Sequence, residues 1–224
     1  MLKWDQIDTV LLDMDGTLLD LHFDSYFWLQ HLPQRYAQIH NTDAAQTRIE
    51  LVERITKERG SLQWYCTDYW SEQLNVDIIA LKKEIDHKVA IRPFVIDFLE
   101  ELKNSHRLSF LVTNASRDSV DIKMNKINLL SLFDQVVSSH DYGHAKEQQE
   151  FWQQLHANHP FDPSRTLLID DTESVLASAD DFGIKHLVTL TQPDSQKALR
   201  ENLLYPSFTH FDEIMPCGLD KTNE

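Results

Sequence analysis

The sequence predicts an α/β protein, a doubly wound parallel sheet with a helical insertion after the first strand. Three observations predict it. Short apolar runs rich in Val, Leu and Ile recur along the chain, each of a length that suits a strand buried on both faces. Stretches of helical period lie between them, and strands alternating with helices are the signature of a parallel sheet. One interval, residues 20–88, breaks this rhythm: it carries several helical patterns and no strand-like run.

Taken in order, the strand runs are residues 9–12, 108–112, 135–137, 166–169 and 186–190. Within the insertion, Phe23, Tyr26, Phe27 and Gln30 begin one helical pattern and Ile49, Val52 and Ile55 mark another. Residues 62–74 and 78–85 complete the set. Pro93 restarts the sheet domain, where its missing N–H costs least if it opens the next helix. Phe94, Phe98 and Leu102 then share one helical face, as do Val120, Met124 and Ile127, and later Phe151 and Leu155. Val175, Leu176 and Ala179 form the last such face, closed by Gly183. The predicted division is therefore a core of residues 1–19 and 89–217, an insertion of residues 20–88, and a loose polar tail of residues 218–224.

A chain of 224 residues suits one sizeable core with a smaller accessory element. It carries 36 acidic against 21 basic residues, a formal net charge of -15. Such a field repels nucleic acid and anionic membranes, so neither is an expected partner. An anionic ligand would need a local cation and a few placed basic groups. Cys66 and Cys217 stand far apart, which suggests neither a disulfide framework nor a thiolate zinc site and fits a reducing compartment. The first residues lack an apolar signal core, and no stretch approaches the ~18 apolar residues of a membrane span. A cytoplasmic protein is expected; the acidic surface leaves the oligomeric state open.

Four polar positions stand where strand runs stop: Asp13, Thr113, Lys146 in the loop after the third run, and Asp170 with Asp171. In an open parallel sheet these ends share one edge, and ligands bind in the crevice there. Asp13 and Asp15 are two apart, so their side chains diverge at a strand end, and Gly16 permits a sharp turn that brings Asp15 back. One carboxylate can attack while the other handles protons. Together with Asp170 and Asp171 they concentrate negative charge that a cation must neutralise unless the acids hold protons. Oxygen-only ligands favour a hard ion such as Mg2+. Thr113 and Asn114 offer a hydroxyl and backbone N–H groups to phosphate oxygens, and Lys146 a compact positive charge. The set predicts phosphoryl transfer: Asp13 attacks phosphorus, Asp15 protonates the leaving oxygen and later deprotonates the hydrolytic water.

Singly, each residue has a plainer role. A strand-end Asp ordinarily caps a turn or helix, as Asp170 and Asp171 would before Thr172. A lone Lys is ordinarily solvated, and His140 and His144 are ordinary loop histidines. The ordered set argues otherwise.

That set, DMDGT at residues 13–17, Thr113 with Asn114, the isolated Lys146, and IDDT at residues 169–172, resembles the four motifs of the haloacid dehalogenase superfamily in order. The resemblance implies that superfamily's α/β fold and Mg2+-dependent hydrolysis of a small phosphate ester. It also implies metal ligands: the Asp13 carboxylate, the Asp15 main-chain carbonyl, Asp171 directly, and Asp170 as a holder of metal-bound water. Residues 7–28, 62–74 and 165–174 are similar, further, to purine 5'-nucleotidases of this superfamily. This implies a helical cap over the site and a purine nucleoside monophosphate, such as GMP or IMP, as substrate.

Within the cap, Trp64, Tyr65, Tyr69 and Trp70 either fill a core or hold a base. Residues 64 and 65 face different ways, so not all four can be buried; Trp64 and Tyr69 are the candidates for stacking on the purine. Asp24 is the candidate for a base or ribose donor, and Phe23, Tyr26 and Trp28 share the ambiguity of the other aromatics. A phosphosugar phosphatase or mutase would share every motif and differ in its cap. A dehalogenase typically lacks the acid that Asp15 supplies, and a phospho-aspartate receiver domain has its acidic pair before the phosphorylated residue. A nucleotide-sensing protein without turnover is the non-enzyme alternative.

Overall fold

The computed structural model describes residues 2–105 and 107–216, so the predicted tail, residues 218–224, and residue 217 lie outside the described part. All five predicted strands form: β1 (Thr9–Leu12), β2 (Leu108–Thr113), β3 (Gln135–Ser138), β4 (Thr166–Ile169) and β5 (His186–Leu190). A sixth, β6 (Ser207–Phe208), was not foreseen, because two residues are too few to display a period of two. The strands are all parallel, in the order β3–β2–β1–β4–β5–β6. β1 is central and buried throughout. Chain order reverses between β1 and β4, which makes their carboxyl ends the crevice of a doubly wound sheet. The register aligns Leu12 with both Leu111 and Ile169, so the residues that follow these strands emerge side by side.

The insertion is helical: α1 (His22–Tyr26), α2 (Leu32–His40), α3 (Ala44–Thr56), α4 (Leu62–Tyr65), α5 (Thr67–Leu74) and α6 (Ile78–Lys83). A π turn over Phe27–His31 joins α1 to α2, and its extra residue keeps Leu32 on the inner face with Phe23 and Phe27. Asp43, Ser61 and Asp77 cap α3, α4 and α6 with side-chain oxygens. The segment has a core of its own, in which Phe23, Phe27, Leu51, Ile55, Trp70 and Ile78 are buried.

Three helical expectations need correction. Thr47, Leu51 and Ile55 form the inner face of α3, and Ile49 is 63% exposed. The pattern over residues 62–74 breaks at Cys66, whose extended backbone both ends α4 and caps α5. Pro93 does not open a helix, because Phe94 at φ 63° intervenes before α7 (Val95–Asn104) and turns its own ring toward solvent.

Side chains alternate across the sheet. Val10 and Leu12 face α7, through Val95, Phe98 and Leu102, and α8 (Arg117–Ile127), through Val120 and Met124. Leu11, Phe110 and Leu168 face Phe151 and Leu155 of α9 (Gln149–Asn158) and Val175 and Leu176 of α10 (Glu173–Phe182). Among the described residues, no helix is long and apolar enough to cross a membrane.

Candidate active site

The site begins where β1 ends. The Asp13 N–H donates to the Ile169 carbonyl at 3.0 Å, which continues the β1–β4 ladder by one step and fixes where the carboxylate emerges. The chain then turns sharply: the Leu18 and Leu19 N–H groups both donate to the Met14 carbonyl, and the Gly16 N–H donates to Leu19. Gly16 has φ +88°, and a Cβ there would lie 2.7 Å from the Asp171 carboxylate. Only glycine satisfies both the left-handed backbone and the close approach. The turn thus presses the β1 loop against the acids after β4.

Lys146 is buried beneath them, 1% exposed. Its ammonium donates to Asp13 Oδ1 at 2.6 Å, Asp170 Oδ2 at 2.7 Å and the Val112 carbonyl at 3.0 Å, which uses all three of its protons. Asn114 positions it from behind, accepting the Lys146 N–H at Oδ1 and donating from Nδ2 to Glu147 Oε2 at 3.0 Å. Thr113 is buried at the same edge and accepts the Ala115 N–H at 3.0 Å.

Burial raises Asp13 to about 6, with Asp170 adding to the rise and Lys146 opposing it. Burial likewise raises Asp15 to about 6, against the pull of Lys123. Burial would depress the Lys146 ammonium, but Asp13 and Asp170 outweigh it and hold it protonated. Asp171 is held well above the carboxylate range by burial, then by Asp13 and Asp170. Arg200 opposes the rise through space, but its hydrogen bonds go to the Asp171 and Leu190 carbonyls and the Thr189 hydroxyl rather than to the carboxylate.

Asp13, Asp170 and Asp171 each bring an oxygen within 4.8 Å of the others. Three hard donors, one of them without a cationic partner, fit a hard divalent ion of the magnesium class.

These groups line one wall of a cavity of about 1100 Å³, whose other wall includes Trp28, Val52, Ile55, Arg59 and Trp64 from the helical segment. Asp13, Asp15, Thr113, Asn114, Lys146, Asp170 and Asp171 are therefore brought together as expected. Trp64 also faces the cavity. Tyr69 does not: its hydroxyl donates to Glu58 and its ring packs edge-on against Trp70, and it lies beyond the break at Cys66 on α5, none of whose residues line the cavity. Asp24 lines the cavity, but both its oxygens are taken, by Lys123 at 2.7 Å and Lys82 at 3.0 Å. Burial would raise it, yet the two ammoniums hold it at about 2. As arranged, it has no free oxygen for a base or ribose.

Sequence reasoning missed Lys123, Lys82, Glu147 and the role of Tyr65, whose hydroxyl donates to Glu147 Oε1 at 2.8 Å. A signal existed for Lys123. It stands three residues after Val120 and one before Met124, on the apolar face of α8, where a charge needs a buried partner.

Residues 10–189 match the family described as haloacid dehalogenase-like hydrolase. The GMP/IMP nucleotidase YrfG of Escherichia coli K12 is 36% identical over 215 residues, 96% of this chain and 97% of that protein. The protein of the same description from Shigella flexneri matches equally. A phosphatase of this superfamily from Thermococcus onnurineus has a similar fold, with TM-score 0.77 at 19% identity over 92% of this chain and 95% of that one. A protein described as a putative beta-phosphoglucomutase from Thermotoga maritima follows with TM-score 0.65, at 19% identity over 93% and 97% of the two chains.

Proposed function

The chain belongs to the haloacid dehalogenase-like hydrolases, and we propose that it hydrolyses phosphate monoesters, purine nucleoside 5'-monophosphates such as GMP and IMP in particular. One observation carries the reading: Asp13 and Asp15 face a single cavity over Lys146 and Asp171, and tryptophans of the helical segment form its far wall. The substrate class rests also on the likeness to a GMP/IMP nucleotidase along nearly the whole chain. In this proposal residues 20–88 are the cap, and residues 1–19 and 89–217 the catalytic core.

An Asp13 oxygen attacks phosphorus, and the bond from phosphorus to the ester oxygen breaks. Asp15 gives that oxygen a proton, and the nucleoside leaves as an alcohol. Water then attacks the aspartyl-phosphate, Asp15 takes its proton, and phosphate departs with Asp13 restored. Lys146 aims the Asp13 carboxylate and answers the phosphate's charge, its three protons already being engaged. The Thr113 hydroxyl and the Asn114 backbone N–H hold the phosphate oxygens. Asp13, Asp171, the Asp15 main-chain carbonyl and Asp170 are the groups that would hold Mg2+, which would supply the positive charge that lets an anion approach these acids.

A panel of phosphate monoesters with purified protein tests the reading. We expect phosphate release from GMP and IMP with Mg2+, lost with a chelator and restored by added Mg2+. Full activity in excess chelator would exclude the metal. Faster turnover of sugar phosphates would move the substrate to the phosphosugar class, and conversion of a sugar phosphate with its bisphosphate would indicate a mutase. Binding of nucleotide with no release from any ester would favour a sensor.

The cap should set selectivity, because the sheet residues touch only the phosphate that all esters share. Trp64→Ala is expected to lower kcat/KM for GMP by roughly 5- to 150-fold, the worth of stacking one base on an aromatic ring. Hydrolysis of a small aryl phosphate should change little. Tyr69→Ala, which alters a ring outside the cavity, should not discriminate between the two substrates. Equal losses on both esters with Trp64→Ala would make Trp64 a packing residue, and Trp28 the next to test.

A further inference from the structure

Two buried ammoniums and two partly buried carboxylates run in a line from the cavity into the helical segment. Lys123 of α8, 2% exposed, donates to Asp15 Oδ1 at 2.6 Å and to Asp24 Oδ2 at 2.7 Å. Asp24, on α1, accepts at its other oxygen from Lys82 of α6 at 3.0 Å. Lys82, 3% exposed, also reaches the Ser119 hydroxyl of α8 at 3.3 Å. Two ammoniums thus balance two carboxylates, and the line passes from the β1 loop through the core helix α8 to both ends of the insertion.

The surroundings make this arrangement rigid. The Lys82 ammonium lies 5.2 to 5.6 Å from the ring centroids of Phe23, Phe27 and Trp28, and the Lys123 ammonium lies 5.3 Å from Phe23. Rings at this range attract a cation and exclude water. In such a site every charge needs its partner, since an unpaired buried ion is costly. Lys123 binds Oδ1 of Asp15, which leaves Oδ2 as the oxygen to exchange a proton with the substrate.

We propose that Lys123 is a positioning residue for Asp15, which fixes the direction of that carboxylate and, through Asp24 and Lys82, ties it to the seating of the helical segment. The proposal rests on the reading of Asp15 as acid and base. It gives Asp24 a role different from base recognition: Asp24 links the cap's position to the readiness of the proton donor. A cap that moves away takes Asp24 and Lys82 with it, and Lys123 then holds Asp15 without its counterweight. Proton transfer depends steeply on such aim.

The leaving group distinguishes positioning from mere support. The ribose oxygen of GMP leaves as a poor anion and needs the proton that Asp15 gives, whereas the phenolate of p-nitrophenyl phosphate leaves without much help. In single turnovers with excess enzyme, Lys123→Met should slow nucleoside release from GMP at least about tenfold, a fraction of the 10²–10⁴ that a general acid contributes. Nitrophenol release should slow much less, and KM for GMP should stay within about threefold by the same argument that binding is untouched. Asp24→Asn, which keeps size and the Lys123–Asp15 contact, should show the same leaving-group dependence in weaker form, and it decides the matter if Lys123→Met does not fold. An inactive wild type would overturn the phosphatase reading and this role with it. An active wild type whose folded variants lose equally on both esters, or keep full kcat on GMP, would overturn the positioning role alone.

Discussion

Asp13→Asn is expected to remove turnover, by at least about 10⁴-fold in kcat, as the loss of a covalent nucleophile does in other enzymes. The amide keeps the size of the side chain and an oxygen to accept from Lys146, but it has no charge with which to attack phosphorus. The fold should survive. Lys146 retains Asp170 and the Val112 carbonyl as partners, so its buried ammonium is not orphaned, and the β1 ladder uses only the backbone of residue 13. Phosphate release at saturating substrate measures the loss, and circular dichroism checks the fold. Wild-type protein quenched in acid during turnover should carry the added mass of one phosphoryl group on Asp13, and the variant none. Turnover within tenfold of wild type, or a phosphoryl group on another residue, would end the covalent role of Asp13.

The parts of this site visible in the sequence are those that sit on the sheet. A fully buried strand must be continuously apolar, so the polar residue that ends the run is conspicuous, and Asp13, Thr113 and Asp170 were each found at such an end. Gly16 was visible only as the residue that permits a sharp turn after Asp15; its close approach to Asp171 emerges from the fold. The helical segment was harder to interpret, because a helix presents all its faces in one short stretch. Trp64 and Tyr69 have the same character in sequence, and only the break at Cys66 sets one toward the cavity and the other against Trp70. Asp24 and Lys82 are 58 residues apart, and nothing local indicates that they neutralise each other. Charges on helices are ordinarily solvated, so the pairing of Asp24, Lys82 and Lys123 emerges only when three helices are packed together.

The same electrostatics set a stability prediction. Lys146 bridges Asp13 and Asp170 and leaves Asp171 as the acid of the cluster without a salt bridge among the described residues. Asp171→Asn should therefore raise the melting temperature of the metal-free protein at neutral pH. The sign follows from linkage. Burial and its two acidic neighbours raise the folded-state pKa of Asp171, so the folded chain holds this proton more tightly than the unfolded chain. The stability this contributes is complete below the unfolded value of about 4 and is lost as pH rises through the folded value. The advantage of the variant over wild type should shrink steadily as pH falls from 7.5 toward 5. Asp13 and Asp170 titrate together with Asp171, so the difference between the two proteins reports the response of the whole cluster to losing the Asp171 charge. Mg2+ should reverse the order. An ion at a hundred times its Kd stabilises by about 2.7 kcal/mol, roughly 5 to 10 °C in a chain of this size, and the variant should lose most of that gain. Thermal unfolding of the two proteins, with chelator and with Mg2+, measures both effects without any assay of turnover. If Mg2+ protects Asp171→Asn as well as wild type, Asp171 is not a ligand. If the metal-free variant is the less stable protein at pH 7.5, the Asp171 carboxylate is stabilised by more than the Thr172 hydroxyl and the through-space attraction of Arg200 and Lys146.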